Sequence, residues 1–309
     1  MTSHDVTATG VDDRALRSLR GWNLALAVLH LAQAVAVVVL ATDFAITITQ
    51  SLPTGPPGSA IASPEGLLDL PVGIAIAAFL VLAGLDHLLT ATVLRGTYER
   101  DLRRGINRFR WVEYSFSATI MVVLIALYAG VVDAAALIGI IGANVAMILF
   151  GWLQESANPP GGPDTTRTMK PFWFGCVAGA APWVAIGLNL LAAEEVPGFV
   201  VGIFVSLFVF FNSFALNQWL QYRGVGPWRS YAFGERAYLV LSLVAKSALA
   251  WQIFGGSLAS EPLRKAPQVR GGSSFDGPVA AASPRSTALS WLSRARWSSA
   301  ISSCSLRAF

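Results

Sequence analysis

A lone lysine, Lys246, sits near the middle of the last long apolar segment, Ala237 to Phe254, which reads AYLVLSLVAKSALAWQIF. A lysine at mid-bilayer depth costs roughly 2.5–3.5 kcal/mol, so it calls for a partner or a chemical purpose. Burial favours the neutral amine, the form that attacks a carbonyl. The chain has three lysines, and the other two, Lys170 and Lys265, lie outside the apolar segments. A Schiff base with an aldehyde cofactor is one chemistry that fits. A snorkelling or structurally paired lysine is the other, and the residue by itself does not choose between them.

Few other polar side chains interrupt the apolar segments. Glu113 is the natural counter-charge for Lys246, since a carboxylate offsets the cost of a buried cation. Arg110 stands one turn earlier and is expected to hold Glu113 ionised. His30 and His87 read either as interhelical hydrogen-bond partners or as a proton-accepting pair. Asp86, beside His87, points elsewhere on its helix, toward headgroups, a cavity or the first segment. Met147, Trp173, Trp183, Phe210, Phe211, Phe214 and Trp251 could line an apolar slot for a conjugated chain, although each taken singly reads as packing or an interface anchor.

These residues need a scaffold, and composition supplies it. Of 309 residues 54% are hydrophobic and 13% charged, the balance of an integral membrane protein. Seven stretches are long enough to cross about 30 Å of hydrocarbon as helices: about Trp22–Thr42, Pro71–Leu94, Trp111–Val131, Ala134–Gln154, Pro171–Ala192, Gly198–Tyr222 and Ala237–Phe254. The predicted class is an all-α, seven-helix membrane bundle. Its expected parts are an N-terminal segment 1–20, a membrane domain 21–256 and a disordered tail 257–309 rich in Ser, Gly, Ala and Pro. The first apolar stretch is too long, and lacks a small-residue cleavage site, for a cleavable signal peptide. Cys176 and Cys304 make no disulfide framework.

Basic residues set the orientation. Fourteen Lys/Arg, from Arg14 to Arg236, fall before the first segment or in alternate connections, and connections 43–70, 132–133 and 193–197 hold none. This positive-inside pattern predicts a cytoplasmic N-terminus and an extracellular C-terminus in the cell membrane. The formal charge of +4 follows that topology and gives no reason to expect a nucleic-acid partner. In the long outer connection, Ala45-Ile46-Thr47-Ile48-Thr49 alternates as a half-buried strand and Pro53–Gly58 reads as a turn, so a short hairpin is predicted there.

With orientation fixed, depth can be compared between helices at about 1.5 Å per residue. Lys246, His30, His87, Asn144 and Asn212 all fall seven to ten residues from the cytoplasmic ends of their segments, and Glu113 joins them if its helix begins within Ile106–Arg110. Polar residues gathered at one depth predict a shared site in the cytoplasmic half of the bundle.

Several stretches resemble heliorhodopsins, the microbial-type retinal proteins of inverted topology. They are Arg110-Trp111-Val112-Glu113-Tyr114-Ser115, Met147 to Glu155, Pro171 to Cys176, Phe210 to Leu216, Gly234-Glu235-Arg236-Ala237-Tyr238 and Leu241 to Phe254. They stand in the family's order, and the resemblance as a whole covers about residues 15–256. The resemblance implies all-trans retinal on Lys246 with Glu113 as counterion and Ser242 one turn away. It implies a polar cluster of His30, His87 and Arg110 that receives or shares the Schiff-base proton, and a cofactor site including Met147, Asn144, Phe210, Phe211 and Trp183. It further implies a homodimer and a slow photocycle with little or no ion pumping. The protein is then a light sensor with an unknown cytoplasmic partner, and not an enzyme.

Three positions depart from family habit or bear on transport. Ala83 stands where the family usually has serine, four residues before the helix-2 histidine. Outward proton pumps of the ordinary microbial type carry a carboxylate eleven residues after the counterion and an aspartate four before the retinal lysine; here these are Leu124 and Ser242. A light-gated proton channel, with Asp86, Glu155 and the histidines along a leak path, is the alternative. A retinal-free scaffold or transporter is a third class, though no inverted repeat or pair of broken helices supports a transporter.

Overall fold

The computed structural model describes residues 11–158 and 167–258. The described residues form eight α-helices and one β-hairpin, in the order α1 (Asp13–Leu40), β1 (Ala45–Gln50), β2 (Glu65–Pro71), α2 (Val72–Ala91), α3 (Arg95–Arg103), α4 (Arg108–Tyr128), α5 (Ala134–Ala157), α6 (Lys170–Ala192), α7 (Gly198–Arg223) and α8 (Tyr231–Ile253). All but α3 are long and apolar enough to cross a membrane, which agrees with the seven predicted segments. The expected tail, 257–309, lies outside the described residues apart from Ser257 and Leu258.

Local chemistry explains the helix ends that hydropathy misplaces. α1 begins at Asp13, well before Trp22, because the Asp12 side chain caps it by accepting from Ala15 N at 2.7 Å. Its polar first turns are held by Leu16 and Leu19, which pack with Tyr98 and Leu102 of α3. α3 itself is a surprise from 95–110, which reads as a connection. It is short and charged, and it buries one face (Tyr98, Asp101, Leu102) while Arg100 stays exposed and Arg103 donates to Asp13 Oδ1 of α1. α4 starts at Arg108, inside the predicted window, with the Asn107 side chain accepting from Arg110 N at 3.1 Å. α8 starts at Tyr231 rather than Ala237, which brings Glu235 into the helix.

The predicted hairpin is present. β1 and β2 pair antiparallel from Ala45↔Pro71 to Gln50↔Glu65, with an irregularity between Ile48 and Thr49. Ile46 and Ile48 pack against the main core, and Thr47 on the opposite face donates to Asp69 Oδ1 at 2.6 Å. Thr49 N donates to Val132 O at 2.9 Å, which ties the hairpin to the α4–α5 connection.

That end of the bundle, the hairpin face, is filled by the larger apolar core, in which Val37, Val72, Ile76, Phe79, Leu124, Leu249 and Ile253 are almost completely buried. The opposite end carries α3, most of the arginines and the smaller core. The functional polar residues lie between the two.

Candidate functional site

Lys246 is buried, with 3% of its surface exposed. Its Nζ donates to Glu113 Oε2 at 3.1 Å and to Ser242 Oγ at 2.8 Å, and lies 4.9 Å from the centre of the Tyr114 ring. Each position follows from helix geometry. Ser242 and Lys246 are one turn apart on α8 and share a face, while Glu113 reaches across from α4.

The lysine lines a cavity of about 470 Å³ walled by α4 to α8. Met147, Trp183, Phe211 and Phe214 line it, as the sequence suggested, together with Trp111, Met121, Phe172 and Tyr238. Gly175 and Gly179 bring α6 close to α5; a Cβ at Gly179 would stand 2.4 Å from Met147 Sδ. Apolar walls leading to a buried amine with its own counter-carboxylate fit an apolar aldehyde such as retinal.

Not every expected lining residue is there. Phe210 packs instead against the main core, and Asn144 turns to α4, donating to Thr119 Oγ1 at 3.0 Å. Asn212 does border the cavity, but it is exposed and its Nδ2 is used by Phe208 O of its own helix at 2.8 Å. Trp173 is 55% exposed, and Trp251 donates to Gln33 Oε1 of α1 at 3.0 Å. Which way a side chain faces around α5, α6, α7 or α8 cannot be read from depth or residue type alone, so Asn144, Trp173, Phe210 and Trp251 read like the true lining residues.

On the other side of the lysine lies a polar chamber of about 20 Å³, room for a single water. Glu113, His87, Asp86, Asn23, Tyr98 and Glu235 are among the side chains around it. His30 stacks on His87, with ring centres 5.7 Å apart and planes 13° apart, so the predicted histidine pair is a physical pair. His87 Nδ1 lies 2.8 Å from Asn23 Oδ1, and Asn23 Nδ2 donates to Leu19 O at 2.9 Å. Because the amide nitrogen is engaged as a donor, Oδ1 is the acceptor and His87 Nδ1 carries the hydrogen. That leaves Nε2 of His87 with a free lone pair. Both nitrogens of His30 are buried without a hydrogen-bond partner.

Arg110 requires a correction. It does not hold Glu113; its guanidinium donates to Glu155 and to Glu235. Side chains on a helix slant toward its N-terminus, so Arg110 reaches toward the basic face and away from Glu113. There it stacks on Tyr238 (3.8 Å) and Trp111 (4.6 Å). Trp111 Nε1 and Asn107 N donate to Glu155 Oε2 at 2.6 and 3.0 Å, and Asn107 Nδ2 donates to Glu235 Oε2 at 2.7 Å. The cluster fastens α4, α5 and α8 together. Glu155 and Glu235 each sit within one or two turns of a helix end, flanked by Gln154 and Ser156 and by Gly234 and Arg236, so the sequence carries no signal that they meet Arg110.

Comparison with known proteins places this geometry. No curated protein matches the chain. Among solved structures, a light-driven proton pump from Leptosphaeria maculans superposes with a TM-score of 0.56 at 15% identity, covering 82% of this chain and 97% of that one. Cyanorhodopsin from the cyanobacterium Tolypothrix sp. NIES-4075 gives 0.53 at 14% identity, covering 81% and 97%. At such identities these similarities establish the seven-helix rhodopsin fold and nothing finer. The heliorhodopsin family model matches residues 19–258, nearly all of the helical bundle. The chain therefore belongs to the heliorhodopsin family, and is a multi-pass membrane protein of the retinal photoreceptor type.

Proposed function

We propose that the protein is a light sensor with a slow photocycle and little or no ion pumping. Bound at Lys246, all-trans retinal supplies absorption of visible light and a change of shape on excitation. Glu113 balances the charge at Nζ, Ser242 fixes the direction of Nζ, and Met147, Trp183, Phe211 and Phe214 exclude water from the cavity. On illumination the Nζ proton passes to the chamber, where the free Nε2 of His87, backed by His30, is the acceptor. The Arg110–Glu155–Glu235 cluster lies next along the basic face, where rearranged helix ends are read out by a cytoplasmic partner. The charge asymmetry of the connections supports a cytoplasmic position for that face and for the N-terminus. A homodimer is part of this reading.

One observation carries the choice of sensor over pump. Among the described residues, the helix stretches on the hairpin side of Lys246 (31–40, 72–82, 114–128, 134–144, 181–192, 198–211 and 247–253) contain no Asp, Glu, Lys, Arg or His. Leu124, where an ordinary pump has its second carboxylate, is fully buried in that apolar half. Vectorial transport needs groups within reach on each side of the moving proton, and here they lie on one side only.

Illuminating cells that express the pigment, while recording external pH and membrane current, tests this. A visible pigment with neither a pH change nor a current is the expected result. Sustained outward or inward proton movement overturns the sensor reading, and a passive current that follows the voltage identifies a light-gated proton channel.

A further inference from the structure

Asp86 is an ionisable residue of the polar chamber without a part in the account above. It lies next to His87 on α2, about one and a half turns inside the end of a spanning helix. Facing it are Tyr98 from α3, Arg110 and Glu113 from α4, and Glu235 from α8, with Asn23 from α1 beside them.

A charge count around the chamber leaves Asp86 over. Lys246 is matched by Glu113, and Arg110 is shared by Glu155 and Glu235. Two cations thus meet three carboxylates before Asp86 is counted. Among the described residues, Asp86 has neither a cation nor a hydrogen-bond donor on its carboxyl group; its one recorded contact is through the backbone, where Asp86 O accepts from Thr90 Oγ1 at 2.8 Å. The Asp86 side chain is half-buried and borders a chamber with room for about one water, and a carboxyl group without a partner in so small a polar space keeps its proton rather than bear the cost of a poorly compensated charge. A second negative charge close to Glu113 would add repulsion.

We propose that Asp86 is a neutral acid in the resting protein, and that it is the local proton source that restores Lys246 Nζ after illumination. The cycle balances without an outside donor. The Nζ proton moves first to His87. The O–H bond of Asp86 then breaks as an N–H bond forms at Nζ, and the imidazolium returns its proton to the Asp86 carboxylate. No proton crosses the membrane. The donor role rests on the retinal reading above, whereas the resting protonation does not.

Infrared spectroscopy of the retinal-free protein in membranes, in water and in deuterium oxide at neutral pH, separates the two. The wild type should show a carboxylic-acid C=O band that disappears in Asp86→Asn and moves in Asp86→Glu. Spectra in which Asp86→Asn keeps the full band mean that Asp86 is ionised, and overturn the proposal. Should Asp86→Asn fail to fold, an unmoved band in Asp86→Glu overturns it equally. With retinal added, recovery after a flash should slow on the order of a hundredfold in Asp86→Asn, the range for loss of a positioned acid. Unchanged recovery beside a lost infrared band overturns the donor role while leaving the retinal reading intact.

Discussion

Lys246 and Glu113 touch across a boundary. The lysine borders the apolar cavity, the carboxylate borders the polar chamber, and Nζ donates to Oε2 at 3.1 Å. Tyr114 and Tyr238 border both spaces and form the wall between them. A cofactor held in the cavity would meet the chamber only at the ion pair. The chamber on that side holds His87 and the carboxyl groups of Asp86, Glu113 and Glu235.

Neutralising that contact should change colour. In Glu113→Gln the negative charge beside Nζ is lost, and the visible band should move to longer wavelength as long as Nζ keeps its proton. The charge stabilises the ground state, where the positive charge sits near nitrogen, more than the excited state. An absorption spectrum of the variant identical to wild type would remove Glu113 from the counterion role.

Arg110 should matter for stability more than for colour. Arg110→Gln leaves Glu155 and Glu235 buried without a cation, and breaking a buried pair in this way costs about 3–5 kcal/mol. Denaturation followed by helix signal should show the loss, and the double variant Glu155→Gln/Arg110→Gln should recover part of it. A single variant as stable as wild type would mean the cluster is not structural.

The Asn23 contact should fix the His87 tautomer. In wild type, nitrogen-15 NMR of labelled histidine should find His87 with hydrogen on Nδ1. In Asn23→Leu the two tautomers should mix, with a stability cost of about 1–3 kcal/mol for the orphaned ring nitrogen. Hydrogen found on Nε2 in the wild type would contradict the assignment of the proton acceptor.

Cavity width should depend on one glycine. A side chain at Gly179 runs into Met147. Gly179→Val should lower the yield of pigment formed with added retinal, at a packing cost of about 1–3 kcal/mol, and adding Met147→Ala should restore it. Full pigment yield in the single variant would place the cofactor elsewhere.

The contrast between Glu113 and Arg110 marks how far the sequence was legible. A charge inside an apolar run is visible by itself, and with depth comparison it pointed from Lys246 to Glu113 and to the stacked histidines. Which partner a long side chain takes depends on its slant along the helix and on neighbours far away in the chain. Glu155 and Glu235 are 45 and 125 residues from Arg110, and spacing carries no trace of that. The hairpin was readable because Ile46 and Ile48 alternate with threonines. α3 was not, because its stability comes from Tyr98 and Leu102 packing on α1 rather than from its own hydropathy. For Asp86 the sequence leaves headgroups, a cavity or the first segment open, and the residue borders the chamber. The edge of a helix face is where a wheel argument has least power.

Lys246 as the attachment point is tested most directly by the visible absorption spectrum of the membrane-expressed protein with retinal added, beside Lys246→Ala. A visible band in the wild type that is absent from the folded variant is the predicted result. A folded wild-type protein without a band, or a band that survives in Lys246→Ala, would contradict it.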